Sequence, residues 1–108
     1  MKRKTIRNHK DFLTAPTDKM VTDSCFIVKI KTAAKKDARY GIIAPKRTFK
    51  LAIQRNRAKR LLRDWILNSE HLMLPDMDYI FIARSAILEC SREKGREQMA
   101  KALEKLSK

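Results

Sequence analysis

The 108-residue sequence predicts a small α/β fold in which one mixed sheet packs against helices. Three observations carry that expectation. Segments 25–32 (CFIVKIKT) and 38–45 (ARYGIIAP) alternate with the period of two that marks a strand with one buried face. Segment 50–69 repeats its apolar residues at helical spacing and leads to MDYIFIAR, 77–84, a strand apolar on both faces. Hydrophobic residues make up 44% with only 2 Gly and 3 Pro, which suits a folded globule with one modest core; residues 1–108 are read as a single domain.

Taken in order, residues 1–9 read as a flexible basic arm, and KDFLTA, 10–15, as a short helix anchored by Phe12 and ended by Pro16. In the first strand Phe26, Val28 and Ile30 share one face, and Ile27, Lys29 and Lys31 the other. In the second, Tyr40, Ile42 and Ala44 oppose Arg39, Gly41 and Ile43, with Pro45 as the stop. The short connection between them predicts an antiparallel hairpin, although 33–37 lacks an Asn-Gly turn. At about 100° per residue, helix 50–69 gathers Ala58, Leu61, Leu62, Trp65 and Ile66 into an apolar arc, with Asn56, Arg60 and Arg63 opposite and Lys59 beside them. Trp65 therefore reads as core. Strand 77–84 follows a helix, so it is expected to enter the sheet interior by a crossover, parallel to one neighbour. Ser91 caps a last helix, 92–107, with Met99, Leu103 and Leu106 at helical spacing, and Gly95 weakens it by about 1 kcal/mol relative to Ala.

Charge narrows the function. The formal net charge is +14, and all of it resides in two acid-free segments: residues 1–10 with five cations and residues 38–63 with nine. The remainder is balanced. Self-repulsion on that scale is explained by a polyanionic partner, and a helix face without an acid before Asp64 points to nucleic acid over a solvated surface.

Other classes are trimmed by what the sequence does not contain. No apolar run approaches the roughly 20 residues of a membrane span, and no apolar signal region follows the basic N-terminus, so a cytoplasmic protein with no membrane partner is expected. Cys25 and Cys90 lack CxxC or Cys/His spacing and read as reduced, packed thiols. His9 and His71 stand alone, no nucleophile and base pair is evident, and no small-molecule ligand is expected.

The runs YGIIAPKR, QRNRAKRLLRDW and DYIFIAR, with DF near the N-terminus, closely resemble the protein component of bacterial ribonuclease P. The most specific part is RNRxKRLxR, from Arg55 to Arg63. The resemblance implies an α/β sandwich with a sheet of about four strands, order α-β-β-β-α-β-α, and an unusual left-handed crossover around the basic helix. It implies an accessory subunit of an endoribonuclease whose catalytic RNA, through bound Mg²⁺, removes the 5′ leader of precursor tRNA. No catalytic residue is then expected in the protein. The family's RNA contacts fall on Lys46, Arg47, Arg55, Asn56, Arg57, Lys59, Arg60 and Arg63, and its leader-binding cleft on Phe12, Ile27, Lys29 and Ile43. Phe12 is read equally as a core anchor and as a leader contact. Lys29 stands where the family usually has an aromatic, so a phosphate contact is expected to replace stacking on a leader base. The rival readings are a small basic ribosomal or other structural RNA-binding protein, and a DNA-binding protein using Arg55 to Arg63 in a major groove.

Overall fold

The computed structural model describes residues 3–6, 19–33 and 38–107. Its elements are β1 (Lys4–Thr5), β2 (Met20–Thr22), β3 (Phe26–Thr32), β4 (Arg39–Ile43), α1 (Ala52–Asn68), β5 (Met77–Ala83) and α2 (Arg92–Leu106), with short 3-10 turns at Glu70–Leu72 and Ser85–Glu89. The expected helix at 10–15 lies outside the described residues. Within a residue or two, the three long strands and both helices fall where their periodicity put them.

The five strands form one mixed sheet in the order β1-β4-β5-β3-β2. Strand β5 lies in the middle, parallel to β4 and antiparallel to β3, so the expected crossover, parallel pairing and interior position all hold. The expected β3–β4 hairpin does not. β5 takes the place between them because MDYIFIA is apolar on both faces and gains most from two flanking strands and two covered faces. Thr32 at the end of β3 and Arg39 at the start of β4 therefore flank the start of β5, a step of about 10 Å across one strand. Ala33 N helps to fix this step by donating to Asp76 O at 3.1 Å.

The expected arm is also partly a strand. β1 pairs in parallel with β4, and Ile6 N donates to Tyr40 O at 2.8 Å. Arg3 secures it from the other side: its Nη1 and Nη2 each donate at 2.6 Å to the carbonyls of Met77 and Leu74, and its guanidinium lies 5.3 Å from the Tyr79 ring centroid. A basic residue here is spent on the fold.

Both helices cover the sheet face formed by Phe26, Val28, Ile30, Tyr79, Phe81 and Ala83. Ala58, Leu62, Trp65 and Ile66 of α1 are buried as the apolar arc requires, and Leu61 is half-buried. Trp65, fully buried, packs its ring 6.1 Å from Phe26 and presses against α2 at Gly95. A β-carbon at position 95 would collide with the indole, so the glycine that weakens α2 as an isolated helix is what lets α2 approach. Ser91 Oγ caps α2 by accepting from Lys94 N at 3.2 Å.

Both cysteines are free, as expected, but they are neighbours. Cys25 is buried and donates to Ala86 O at 3.9 Å, while Cys90 donates to Gln98 Oε1 at 3.8 Å. Burial, then the hydrogen bond and charge of Cys25, push the Cys90 thiol up to about 11, so it stays protonated at neutral pH.

Two substitutions test this packing by chemical denaturation. Trp65→Ala should cost about 3–5 kcal/mol. Gly95→Ala, which would gain about 1 kcal/mol in an open helix, should instead cost about 1–3 kcal/mol through overpacking; a stabilised variant would mean that the helices do not meet there.

Candidate nucleic-acid interface

Helix α1 turns one side into the core and therefore commits the other to solvent. Asn56, Arg57, Arg60 and Arg63 are exposed; Arg55 and Lys59, at its borders, are half-buried. The N-cap residue, Leu51, has no side-chain acceptor to offer, and the first turn holds no acid, so the positive end of the helix dipole adds to the cationic side chains. Lys46 and Arg47 extend the same charge on a turn after β4, where Thr48 N and Phe49 N both donate to Pro45 O at 3.1 and 2.9 Å. Phe49 plugs that turn into the core.

One acid, Asp64, belongs to α1, yet it does not dilute the stripe. Arg96 of α2 donates to it through two nitrogens at 3.0 and 3.1 Å, and Arg92 lies 3.8 Å away. These contacts, the Arg96 hydrogen bond foremost, hold the Asp64 carboxyl below the usual aspartate range. The pair ties α1 to α2 and leaves the outward cations unneutralised.

Strand register fixes the sheet face away from the helices. Ile27, Ile82 and Ile43 form one cross-strand row; Met20, Lys29, Ile80 and Gly41 form the next. Three expected cleft residues, Ile27, Lys29 and Ile43, thus share one face, each half-buried, as their alternation required. Phe12 lies outside the described residues. Ile82, half-buried and not part of the expected cleft, continues the apolar row, whereas Ile80 beside Lys29 is buried, with 1% exposure. A third row sets Lys31 and Arg39 on either side of Asp78. Asp78 Oδ1 accepts from Arg39 N at 2.6 Å, and Oδ2 lies 3.6 Å from the Arg39 guanidinium; both side chains are buried. The sequence signal for this pair was a lone acid in an otherwise apolar interior strand.

Between the β1–β4 edge and α1 opens a cleft of about 230 Å³. Thr5, Ile6 and the strand residues Tyr40 to Ile42 form one wall, and Lys59 and Arg63, one helical turn apart, form the other. Two cations facing an aromatic and apolar strand can hold an anion beside a flat ring. The edge strand that forms this wall was missed because two residues carry no detectable alternation. No helix among the described residues is long and apolar enough to cross a membrane, and no three of their His, Cys, Asp or Glu side chains group as a metal set.

Fold and surface together define a small α/β protein with a segregated cationic helix on one side of its sheet and, on the other, a row of isoleucines beside Lys29. The family model for ribonuclease P matches residues 1–107, and the chain belongs to that family. Among its relatives, the ribonuclease P protein component of Pseudomonas entomophila is 31% identical over 103 residues, 94% of this chain and 75% of that protein. The component from Vibrio parahaemolyticus is 37% identical over 70 residues, 65% of this chain; the match spans 58% of that protein, and 46% of its Vibrio campbellii counterpart. In fold, the chain is similar to the ribonuclease P protein of Thermotoga maritima, with a TM-score of 0.77 at 21% identity over 95% of this chain and 97% of that one. For the Staphylococcus aureus protein the values are 0.70, 24%, 97% and 93%.

The Asp64 contact has a pH signature. A depressed folded pKa stabilises the fold above the unfolded value, about 3.9, and that contribution is lost as pH falls through the lower folded value. The stability difference between wild type and Asp64→Asn should therefore be steady from neutral pH to about 5 and shrink below about 4. A difference independent of pH in urea titrations would mean the carboxylate is not held by Arg96.

Proposed function

We propose that the chain is the protein subunit of a ribonucleoprotein endonuclease, ribonuclease P, which binds a catalytic RNA and the 5′ leader of precursor tRNA to assist removal of that leader. The observation that carries the reading is the segregation of charge: cations without a competing acid on the outward side of α1 and the adjoining turn, with Lys29 and its isoleucine neighbours on the sheet face away from the helices. Family membership supplies the chemistry such a surface serves.

In this reading Asn56, Arg57, Arg60 and Arg63 meet RNA phosphates, and Lys59 works at the edge of the cleft. The cationic side chains among them displace counterions from the RNA, so affinity falls steeply with salt, by a log–log slope of about 0.7–0.9 per phosphate neutralised. On the sheet face, Ile27 and Ile43 give the leader an apolar floor, and Lys29 contacts a leader phosphate in place of a stacking ring. Bond cleavage and the Mg²⁺ it uses belong to the RNA; the protein orients and holds. The assembly is cytoplasmic.

The test is reconstitution. Purified chain should restore leader cleavage by the catalytic RNA at low Mg²⁺ and cleave nothing alone. Lack of rescue would favour a structural RNA-binding protein, and cleavage by protein alone would refute the assignment of catalysis to RNA.

The two surfaces should separate by ligand. Arg60→Ala with Arg63→Ala should weaken binding to the catalytic RNA and lower the salt slope by about two. Lys29→Ala should leave assembly intact and reduce holoenzyme affinity for precursor tRNA, not for mature tRNA. Equal losses for both tRNAs would make Lys29 an ordinary surface lysine.

A further inference from the structure

Arg55 opens the basic motif, yet its guanidinium is turned back onto the protein. Nη1 donates to Phe49 O at 2.8 Å and to Lys50 O at 3.2 Å. Those two carbonyls end the turn that displays Lys46 and Arg47. The turn is closed at its base by Pro45 O, which accepts from Thr48 N and Phe49 N, and is pinned by the buried Phe49 ring. Just beyond it, Leu51 N donates to Gln54 Oε1 at 3.3 Å. Arg55 thus joins the end of the turn to the first turns of α1. A planar guanidinium donating from one nitrogen to successive carbonyls fixes their direction, a constraint that a flexible surface cation does not impose.

From this geometry, and resting on the RNA-binding reading above, we infer that Arg55 is a positioning residue: it holds the Lys46–Arg47 turn against α1 so that these two cations, and not Arg55 itself, contact RNA. The motif's first arginine then differs in role from Arg57, Arg60 and Arg63, which are exposed. Removing it should cost the contacts of its neighbours.

The two roles give different arithmetic in a mutant cycle. As a positioning residue, Arg55→Ala lowers the salt slope for RNA binding by about two, because both displayed cations lose register, and lowers it no further in a Lys46→Ala/Arg47→Ala background. As a direct contact, it lowers the slope by about one in either background. In the free protein, hydrogen exchange at the Thr48 and Phe49 amides should quicken at least about tenfold in Arg55→Ala, the ratio for a 1.4 kcal/mol loss of local stability. The Leu62 and Ile66 amides should be unchanged, which shows that the helix remains folded. Arg55→Lys, whose ammonium can still donate to a carbonyl, should recover part of both effects. Unchanged protection at Thr48 and Phe49, or equal slope losses in the two backgrounds, overturns the inference. If the parent chain bound no RNA, the function proposed above would fall, while the amide exchange would still decide whether Arg55 holds the turn.

Discussion

The close approach of α1 and α2 at Trp65 and Gly95 is the constraint on which the rest of the molecule depends. An indole of that size can be fully buried between two helices and a sheet only if one partner gives up its side chain, and α2 does so at Gly95. With the indole seated, α1 can no longer roll about its axis. The roll angle decides everything on the other side: which cations face outward, which border the cleft, and which acid meets Arg96. A packing interaction deep in the core is therefore also the device that aims the charged surface.

The sheet is used twice, and its two faces obey different rules. Toward the helices it is buried and aromatic. On the far face the rows change in character along the strands, from the isoleucines of Ile27, Ile82 and Ile43 to the charged row of Lys31, Asp78 and Arg39. A buried carboxylate next to a buried guanidinium is weak evidence for stability, since desolvation takes back much of what attraction gives. It fixes register instead. A slip of one residue between β4 and β5 would bury Asp78 without Arg39, so the pair enforces the alignment that sets the apolar row in place.

What could be read in the sequence follows from how far each signal reaches along the chain. The roll of α1, the burial of Trp65, the faces of β3 and β4, and the cap at Ser91 are local periodicities, and all were legible. The place of β4 was not, because sequence neighbours are expected to be spatial neighbours, and the strand that separates them arrives some 40 residues later. Arg3 on Tyr79, Arg39 on Asp78 and Cys25 by Cys90 were hidden for the same reason: each joins segments far apart in sequence. The candidate site was legible as a list of cations but not as a division of labour. Composition counts Arg3, Arg55 and Arg96 alike with Arg60, although the first three donate to carbonyls or a carboxylate of the protein itself.

The central position of β5 has a further consequence during synthesis. The strand that bonds to both β4 and β3 is the last of the five to leave the ribosome, and until it does, those two have no shared partner. A nascent chain stopped short of residue 77 can pair β2 with β3 and β1 with β4, but the two pairs stay unjoined and their inner edges remain open. β1 is tied to the same late segment, since Arg3 finds its carbonyls only once Leu74 and Met77 have been made. Folding is thus expected to be cooperative, with the strand order and the aim of the cationic helix settled together once β5 joins β3 and β4.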